Sequence, residues 1–272
     1  MASGRTISPQ RVFCRSRSRA VTVLRRMSII AVIAIIALAV FFASVLHKAK
    51  QSIVANHSTQ AMKNVWIALE AYYAQNDSLP SSITTIAGHD HSWRMLVENG
   101  HGLSNVQYDL SESWDSAINL KLADNTRGIP FSGFDALVRH KDIRPFPPTN
   151  YFVVSGPQTA FPAQGCVRLE NIADGAENTV LVIELGRSKI PWPMPRDVEF
   201  RELEQLYRGT HELSLDVHTL GCGLLFADWE RFYMIKKLPF EVFQALFTIS
   251  GNDGLTRDKL LRDGYLVPMS GV

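Results

Sequence analysis

The chain has 272 residues, a formal net charge of +2 at pH 7 and three cysteines. Three cysteines are too few for a disulfide framework, which excludes the class of small disulfide-stabilised secreted domains. The positive charge is unevenly placed, because the first 26 residues contain seven arginines and no acidic residue. Beyond residue 46 lie 21 basic and 26 acidic residues, a formal charge of −5. The composition therefore gives no support for nucleic-acid binding, whose usual mark is a basic domain.

Residues 27–46 form an unbroken run without a charged side chain (MSIIAVIAIIALAVFFASVL). At about 1.5 Å of rise per residue, a helix of this length spans roughly 30 Å, the thickness of the hydrocarbon core of a bilayer. A helix buried in a soluble core would show a polar face, and this run shows none. The run predicts a transmembrane helix in contact with the lipid bilayer.

The basic residues before the span predict its orientation. Basic segments stay on the cytoplasmic side, so residues 1–26 are predicted to form a cytoplasmic tail that contacts anionic lipid headgroups. The rest of the chain is then extracytoplasmic, on the periplasmic side of the cytoplasmic membrane. The alternative is a cleaved signal peptide, with an apolar stretch of about 7–15 residues and a small-x-small cleavage site. The longer run and the poor site at Ala43-Ser44-Val45 favour a retained single-pass anchor.

Residues 47–76 are predicted to continue the helix outside the membrane, since His47 to Gln75 contain neither proline nor glycine. Apolar residues recur there at a spacing that is typical of an amphipathic helix. They are Ile53, Met62, Val65, Trp66, Leu69, Tyr72 and Tyr73, and the helical spacing runs from Met62 onward. Turn-forming residues from Asn76 to Pro80 predict its end. The alternative is an anchor followed by a separate first helix.

After residue 80, short runs rich in β-forming residues lie between turn signals, which predicts strands. The runs cover residues 151–155, 167–171, 179–184, 223–227 and 230–235. Asp228-Trp229 separates the last two runs and predicts a hairpin. A short C-terminal helix is predicted from Pro239 to Thr248, with Gly251 closing it.

Strands that follow one long helix, without a repeated βαβ rhythm, indicate an α+β fold with an antiparallel sheet. The chain beyond the span is long enough to bury one core. The predicted organisation is a basic tail (1–26), a transmembrane helix (27–46), its continuation (47–76) and a globular α+β domain (77–272).

An anchor that runs into a polar helix ending near Leu79-Pro80 resembles the start of type IV pilins and type II secretion pseudopilins. The later sequence words resemble, in order, the pseudopilin-like family of planctomycete-type bacteria, a family largely of unknown function. The words are Ser92-Trp93-Arg94, Ser113-Trp114-Asp115-Ser116, Thr149-Asn150-Tyr151, the run IADGAENT from Ile172 to Thr179, Val182-Ile183-Glu184, Pro191-Trp192-Pro193 and the run HTLGCGLLFADW from His218 to Trp229. The resemblance covers about residues 27–265.

The resemblance implies a pilin-like fold, whose long helix lies in the membrane at its start and packs on an antiparallel sheet further on. It also implies structural roles for residues of those words, namely Asn150, Tyr151, Asp174, Gly175, Asn178, Thr179, Glu184, His218, Asp228 and Trp229. The chain departs from the family at Trp229, where glycine is usual. It also lacks the prepilin signature, a glycine before Met27 and a glutamate five residues into the span.

The nine residues between His218 and Asp228 let a hairpin bring these two side chains together. A histidine–carboxylate hydrogen bond there would hold the strand register and contribute about 1–3 kcal/mol if partly buried. Metal binding and catalysis are the less favoured alternatives. Asp174-Gly175 before Asn178-Thr179 predicts a turn that leads into the next strand.

The remaining candidates for chemistry lead us to predict no catalytic, cofactor or metal site. His89-Asp90-His91 has the alternation of a metal chelate, but Gly88 and Ser92 beside it favour an exposed polar loop. His211 and Asp216 supply a general base at most, because the chain has no Gly-x-Ser-x-Gly turn and no His-Glu-x-x-His helix. The run 251–254 lacks the further ligands that a calcium loop requires.

Two cysteines and three tryptophans leave alternatives open. Cys166 and Cys222 would share an oxidising compartment beyond the membrane, so they form either one disulfide or two isolated buried thiols. Trp93, Trp114 and Trp192 either stack on sugars at a surface or pack in the core, and core packing is favoured.

These observations favour a membrane-anchored protein without catalytic activity that acts by protein–protein contact. It is expected to be a minor subunit or accessory of a type II secretion or pilus-like assembly, with other pilin-like subunits as partners. The alternative is a monomeric anchored protein whose extracytoplasmic domain binds or hydrolyses a ligand.

Overall fold

The structure is a computed structural model that describes residues 10–101, 106–124, 146–217, 220–251 and 254–269. Its contacts divide the chain into two compact units, Met1–Ser52 and Ile53–Val272. In chain order the α-helices are α1 (Gln10–Asn76), α2 (Trp93–His101), α3 (Ala117–Asp124), α4 (Leu203–Arg208), α5 (Phe240–Ala245) and α6 (Arg257–Arg262). The strands are β1 (Ile83–Ile86), β2 (His89–Ser92), β3 (Tyr151–Phe152), β4 (Val154–Ser155), β5 (Val180–Glu184), β6 (Val198–Glu199), β7 (Cys222–Phe226), β8 (Arg231–Met234) and β9 (Leu266–Pro268).

In the first unit, the apolar run predicted to cross a membrane is helical and exposed. Its large side chains are open along the whole run, from Met27, 64% exposed, to Leu46, 69% exposed. Water solvates such a surface poorly, so a helix of this kind needs an apolar environment. By length and composition, α1 is long and apolar enough to cross a membrane, as predicted.

In the second unit, the same helix packs one face on the protein core and ends where the sequence predicted, at Asn76. Its buried residues recur at helical spacing. They are Val54, Ala55, Ser58, Ala61, Met62, Val65, Ala68 and Leu69. Ile53, which precedes the predicted stripe, lies on the other face of the helix and is 65% exposed. Asp77 ends the helix with a left-handed φ of 53°.

The main sheet has five antiparallel strands in the order β3-β5-β7-β8-β9. One face packs on α1, where Val182, Leu225 and Tyr233 join the cluster that contains Met62. The other face packs on α4, α5 and α6, and includes Ile183. Because both faces are covered, β5 and β7 are buried at every position. Strands that are covered on both faces have apolar residues at successive positions, so β5 and β7 lack a regular alternation of apolar and polar residues.

Two of the sequence-based element predictions need correction. Residues 167–171 were predicted as a strand, but Leu169–Asn171 form a 3₁₀ turn. The chain there bonds to the segment that follows α1, since Val167 O accepts a hydrogen bond from Leu79 N at 2.8 Å. The C-terminal helix α5 is shorter than 239–248, and Leu246 rather than Gly251 caps it. The hairpin of β7 and β8 around Asp228-Trp229 is confirmed.

Candidate functional site

Glu184, at the end of β5, is a fully buried carboxylate between α1 and the main sheet. Ser58 on α1 donates a hydrogen bond of 2.6 Å to its Oε2. Tyr151 on β3 is the register partner of Glu184, and Gly223 on β7 leaves space for the carboxylate. A Cβ at Gly223 would lie 2.7 Å from Glu184 Oε2. A buried carboxyl group is costly unless it is hydrogen-bonded. The slot between helix and sheet therefore requires a small polar side chain on α1, such as Ser58, and a glycine on β7.

Titratable side chains surround Glu184 and carry shifted pKa values. Burial raises the pKa of Tyr151 well above its usual range, and the Glu184 carboxylate adds to the increase. Burial also raises the pKa of Tyr233, whose hydroxyl lies 2.7 Å from Thr59 Oγ1. Burial lowers the pKa of His57, while Glu184 acts in the opposite direction. The cluster joins α1 to the sheet through polar contacts, an arrangement that fixes how the helix sits on the sheet.

A second group of polar residues joins three loops at the tip of the β7–β8 hairpin. Asn178 Nδ2 donates to Asp174 O at 2.9 Å, and Thr179 Oγ1 donates to Gly175 O at 3.2 Å. Gly175 has a φ of 94°, a conformation that favours glycine. These bonds form the turn that the sequence predicted before β5. The Asp174 side chain reaches further, because its Oδ2 accepts a hydrogen bond from Gly251 N at 2.6 Å.

The same three loops contact the hairpin itself. Ala227 N donates to Thr179 O at 2.9 Å, and Asp228 N donates to Ala176 O at 3.2 Å. Arg257, at the start of α6, donates from both terminal nitrogens to the two oxygens of Asp228, at 2.8 and 2.7 Å. Its guanidinium also lies 4.9 Å from the ring centroid of Phe232. We call residues 174–179, 227–230 and 248–251 together with Arg257 the loop cluster.

His218, the predicted partner of Asp228, lies outside the described residues, so their hydrogen bond stays a prediction. The structure gives Asp228 a different strong partner in Arg257, which the sequence reasoning missed. Trp229 follows in the turn with a φ of 70°, and its ring lies 6.3 Å from that of Tyr73 on α1. Asn150 is buried beside β5, where its backbone O accepts a hydrogen bond from Leu185 N at 2.7 Å.

The predicted cysteine alternatives are both revised. Cys166 and Cys222 are free thiols, so the disulfide is not formed. They are not two buried thiols either, because Cys166 is exposed and only Cys222 is buried. Burial raises the pKa of the Cys222 thiol well above its usual range. A buried thiol of this kind is inert, whereas Cys166 is open to reagents.

The segment His89-Asp90-His91 was interpreted as an exposed loop, and this was wrong. It forms β2, which pairs with β1 in an antiparallel hairpin. His91 is fully buried, with Nε2 3.0 Å from Leu110 O, and burial lowers its pKa. Within the described residues, no group of three His, Cys, Asp or Glu side chains is arranged to hold a metal ion.

Two of the three tryptophans pack as predicted, because Trp93 and Trp192 are completely buried. Trp114 is partly buried, and its ring lies 5.9 Å from that of Phe146. Trp93 also borders a buried ion pair that sequence reasoning missed, between Arg94 and Asp197.

Arg94 on α2 and Asp197 just before β6 form an ion pair of 2.5 Å, with side-chain exposures of 0% and 2%. Arg94 also donates to Tyr151 O at 2.9 Å and to Ser92 Oγ at 2.7 Å. Asp197 Oδ1 accepts a second hydrogen bond from Val153 N at 3.0 Å. Burial raises the pKa of Asp197 to about 6, although Arg94 opposes the increase. The word Ser92-Trp93-Arg94 was the available signal, but no pattern linked it to Asp197.

No family model, curated protein or solved structure matches this chain. Function is therefore inferred from the residues and contacts of the chain itself. The Glu184 slot, the loop cluster and the Arg94–Asp197 pair all hold secondary structures together, and each is built from hydrogen bonds between distant parts of the sequence.

Proposed function

We propose that this chain is a membrane-anchored, pilin-like protein that acts by protein–protein contact as a minor subunit or accessory of a secretion or pilus-like assembly. The observation that carries the proposal is α1. Residues 27–46 of this helix are apolar and exposed, and residues 54–69 of the same helix pack on an antiparallel sheet. A helix with these two parts suits a lipid bilayer at one end and a folded domain at the other.

The proposed orientation places residues 1–26 in the cytoplasm and residues 47–272 outside the cytoplasmic membrane. Seven arginines precede the span, and basic flanks stay inside. The tail is then held by anionic lipid headgroups, whose negative potential attracts polybasic segments next to a membrane. The formal charge beyond residue 46 is −5, so the net positive charge of the chain belongs to the tail.

The loop cluster supports the proposed likeness to the pseudopilin-like family. Its two sequence words, IADGAENT and the one ending in Ala227-Asp228-Trp229, lie far apart in the chain and bond to each other through Ala176 and Thr179. Trp229 stands where that family usually has glycine, and its φ of 70° lies in the region that glycine adopts most readily. The backbone at this turn therefore has the left-handed conformation that glycine adopts most easily.

The proposed contact surface between subunits is the side of α1 that faces away from the sheet. Ile53 is 65% exposed there, directly after the first unit of the chain, and Asn56 and Lys63 are exposed on the same helix. Helices of neighbouring pilin-like subunits would meet through such a surface, with the apolar span continuing the contact inside the membrane.

The test is site-specific photo-crosslinking in native membranes. A photoreactive residue at Ile53 is expected to give a ladder of crosslinked species that contain this chain, because position 53 lies in the proposed contact. The matched control is the same residue at Lys121, which is exposed on α3 of the globular part. Monomers alone from position 53, at every expression level, would contradict the assembly proposal and favour a monomeric anchored domain that binds or hydrolyses a ligand.

A further inference from the structure

Strand β8 runs antiparallel to α1, which defines two ends of the second unit. The hydroxyl of Tyr233, near the end of β8, donates a hydrogen bond to Ala55 O at 3.2 Å. The ring of Trp229, in the turn before β8, lies 6.3 Å from that of Tyr73, near the far end of α1. The chain that follows β8 therefore lies at the same end of the unit as Ile53, where the unit begins.

Chain connectivity keeps that end of the unit near the predicted span. Ile53 follows Leu46, the last residue of the apolar run, by seven positions. Seven residues reach at most about 25 Å even when they are fully extended. The surface at this end is therefore within reach of the lipid headgroups.

The segments after β5 and at the end of α6 reach the same end of the unit. Glu184, the last residue of β5, bonds to Ser58 on α1, and Ile235 N donates to Tyr265 O, shortly after α6, at 2.9 Å. The exposed basic residues on these segments and directly after β8, which we call the basic end, are Arg187, Lys189, Lys236, Lys237 and Arg262. None of the five forms an ion pair with a residue that the structure describes.

Acidic side chains do not balance this charge. Asp216 and Glu241 are exposed at the basic end, and other acidic residues near it are held in ion pairs with basic partners. Around the opposite end, by contrast, Glu70, Glu177 and Glu230 are exposed. The charge of the unit is therefore separated along α1, with the positive part toward the span. Such a field favours approach of the basic end to a negative surface.

An exposed apolar side chain lies among these charges. Ile235 is 43% exposed, and Lys236 and Lys237 follow it directly. A groove of about 350 Å³ opens beside them, and Lys237 Nζ lies 4.0 Å from the centroid of the Tyr207 ring at its wall. An apolar side chain flanked by long basic ones is typical of surfaces that enter the headgroup region of an anionic bilayer. A groove of this size admits a lipid headgroup.

We propose that the basic end of the folded domain docks on the anionic lipid surface of the membrane in which the chain is anchored. Ile235 enters the headgroup region, and Lys236 and Lys237 contact lipid phosphates. The inference rests on the membrane anchor of the proposed function, and it adds a second lipid contact, made by the domain rather than by the arginine-rich tail.

The test uses the full-length protein in vesicles of phosphatidylcholine alone and of an equal mixture of phosphatidylcholine and phosphatidylglycerol. Ile235→Cys, in a chain that also carries Cys14→Ser and Cys166→Ser, is labelled with bimane, and lipids with a nitroxide on the headgroup quench the label. Quenching is expected to be at least twofold stronger in the mixed vesicles, and high salt should remove the difference. The matched control is Glu177→Cys in the same background, whose label at the opposite end should be quenched equally in both vesicles.

Charge variants show whether the basic end makes the contact. Lys236→Gln together with Lys237→Gln is expected to weaken docking in the mixed vesicles at least tenfold, as judged from the quenched fraction. The control, Lys63→Gln together with Lys121→Gln, removes the same charge from exposed positions elsewhere and is expected to change docking less than twofold. Equal effects of the two pairs would show general attraction of charge and contradict the proposal.

Flotation of the phosphatidylcholine vesicles separates the two possible failures. A chain that does not float with them has no anchor, which would overturn both the proposed function and this inference. A chain that floats, but whose label at position 235 is quenched equally in both vesicles, would retain the anchor and overturn the inference alone, leaving the basic end to an acidic protein partner.

Discussion

Ser58 on the long helix donates a hydrogen bond of 2.6 Å to Glu184 at the end of β5, although they lie 126 positions apart in the chain. Both side chains are completely buried. Apolar packing alone would let a helix slide or rotate on a sheet at modest cost, whereas a buried side-chain hydrogen bond is satisfied in only one position. This contact therefore fixes the placement of α1 on β5.

Ser58→Ala is expected to lower the free energy of unfolding by about 1–3 kcal/mol, because it leaves Glu184 Oε2 without its donor from α1. The measurement is urea unfolding of the full-length protein in detergent, followed by tryptophan fluorescence. Ser52→Ala is the control, since Ser52 is exposed on the same helix and its replacement should stay within about 0.5 kcal/mol. Equal losses for the two variants would show that the Ser58–Glu184 bond does not fasten the helix.

Gly221 lies just before β7, where a side chain would clash with the backbone of the β7–β8 hairpin. Gly88, which has a similar φ but open space around it, is the matched control. Both have positive φ, 97° and 85°. A Cβ at Gly221 would lie 2.1 Å from Met234 O, whereas a Cβ at Gly88 meets nothing within 4 Å. Gly88→Ala should cost about 1–2 kcal/mol from conformation alone. Gly221→Ala should cost at least about 2 kcal/mol more, because backbone must move. Thermal unfolding of both variants tests this, and similar losses would contradict it.

The Asp228–Arg257 contact is expected to be a strong coupling that ties α6 to the hairpin. It uses both guanidinium nitrogens, and the exposures of Arg257 and Asp228 are only 14% and 26%. A double-mutant cycle with Asp228→Asn and Arg257→Gln should give a coupling energy of about 1–3 kcal/mol. The exposed pair Arg208–Glu204 is the control and should give less than about 0.5 kcal/mol. Equal coupling in the two cycles would remove the structural role assigned to Arg257.

Asp197 should make stability depend on pH in a direction opposite to that of an ordinary paired aspartate. Burial raises its pKa from 3.8 to about 6 in the folded protein, so the folded state holds the proton more tightly than the unfolded chain. Its contribution to the free energy of unfolding is fully present below about pH 4 and is lost as the pH rises through about 6. At roughly 1.4 kcal/mol per pH unit, the loss is about 3 kcal/mol.

The measurement for Asp197 compares wild type with Asp197→Asn by urea unfolding from pH 4 to pH 7. The free energy of unfolding of wild type minus that of the variant should fall by about 2.4 kcal/mol over this range, because asparagine does not titrate. Taking the difference removes the contributions of the other carboxylates. A difference that stays constant, or that rises with pH, would contradict the raised pKa of Asp197.

Features with a local signal could be predicted from the sequence. An uninterrupted apolar run followed by helical spacing predicts the long helix. Two β-rich runs around Asp228-Trp229 predict the β7–β8 hairpin. Local signals also misled. Residues 167–171 have strand-like composition, but Val167 bonds to Leu79, just after α1, and residues 169–171 form a 3₁₀ turn. Ile53 is apolar but stays exposed, because it lies on the opposite face of α1 from Met62, while its neighbours Val54 and Ala55 are buried.

The polar contacts could not be predicted because their partners are far apart in the chain. Arg94 and Asp197 are separated by 103 residues, and Asp228 and Arg257 by 29. No spacing rule relates such residues, since their meeting depends on the register of several strands at once. The words that contain Glu184, Asp174 and Asp228 were singled out, and each occupies a hydrogen-bonded position, but only the structure names the partners.

The central claim is that residues 27–46 anchor a folded domain on the outer side of the cytoplasmic membrane, and Cys166 tests it directly. Cys166 is an exposed free thiol in the folded domain, and Cys222 is buried. Spheroplasts that express the Cys14→Ser variant are treated with a membrane-impermeant maleimide before and after lysis. The account predicts full labelling of Cys166 in intact spheroplasts and none in a further Cys166→Ser variant. Labelling that occurs only after lysis would place the domain in the cytoplasm and contradict the account.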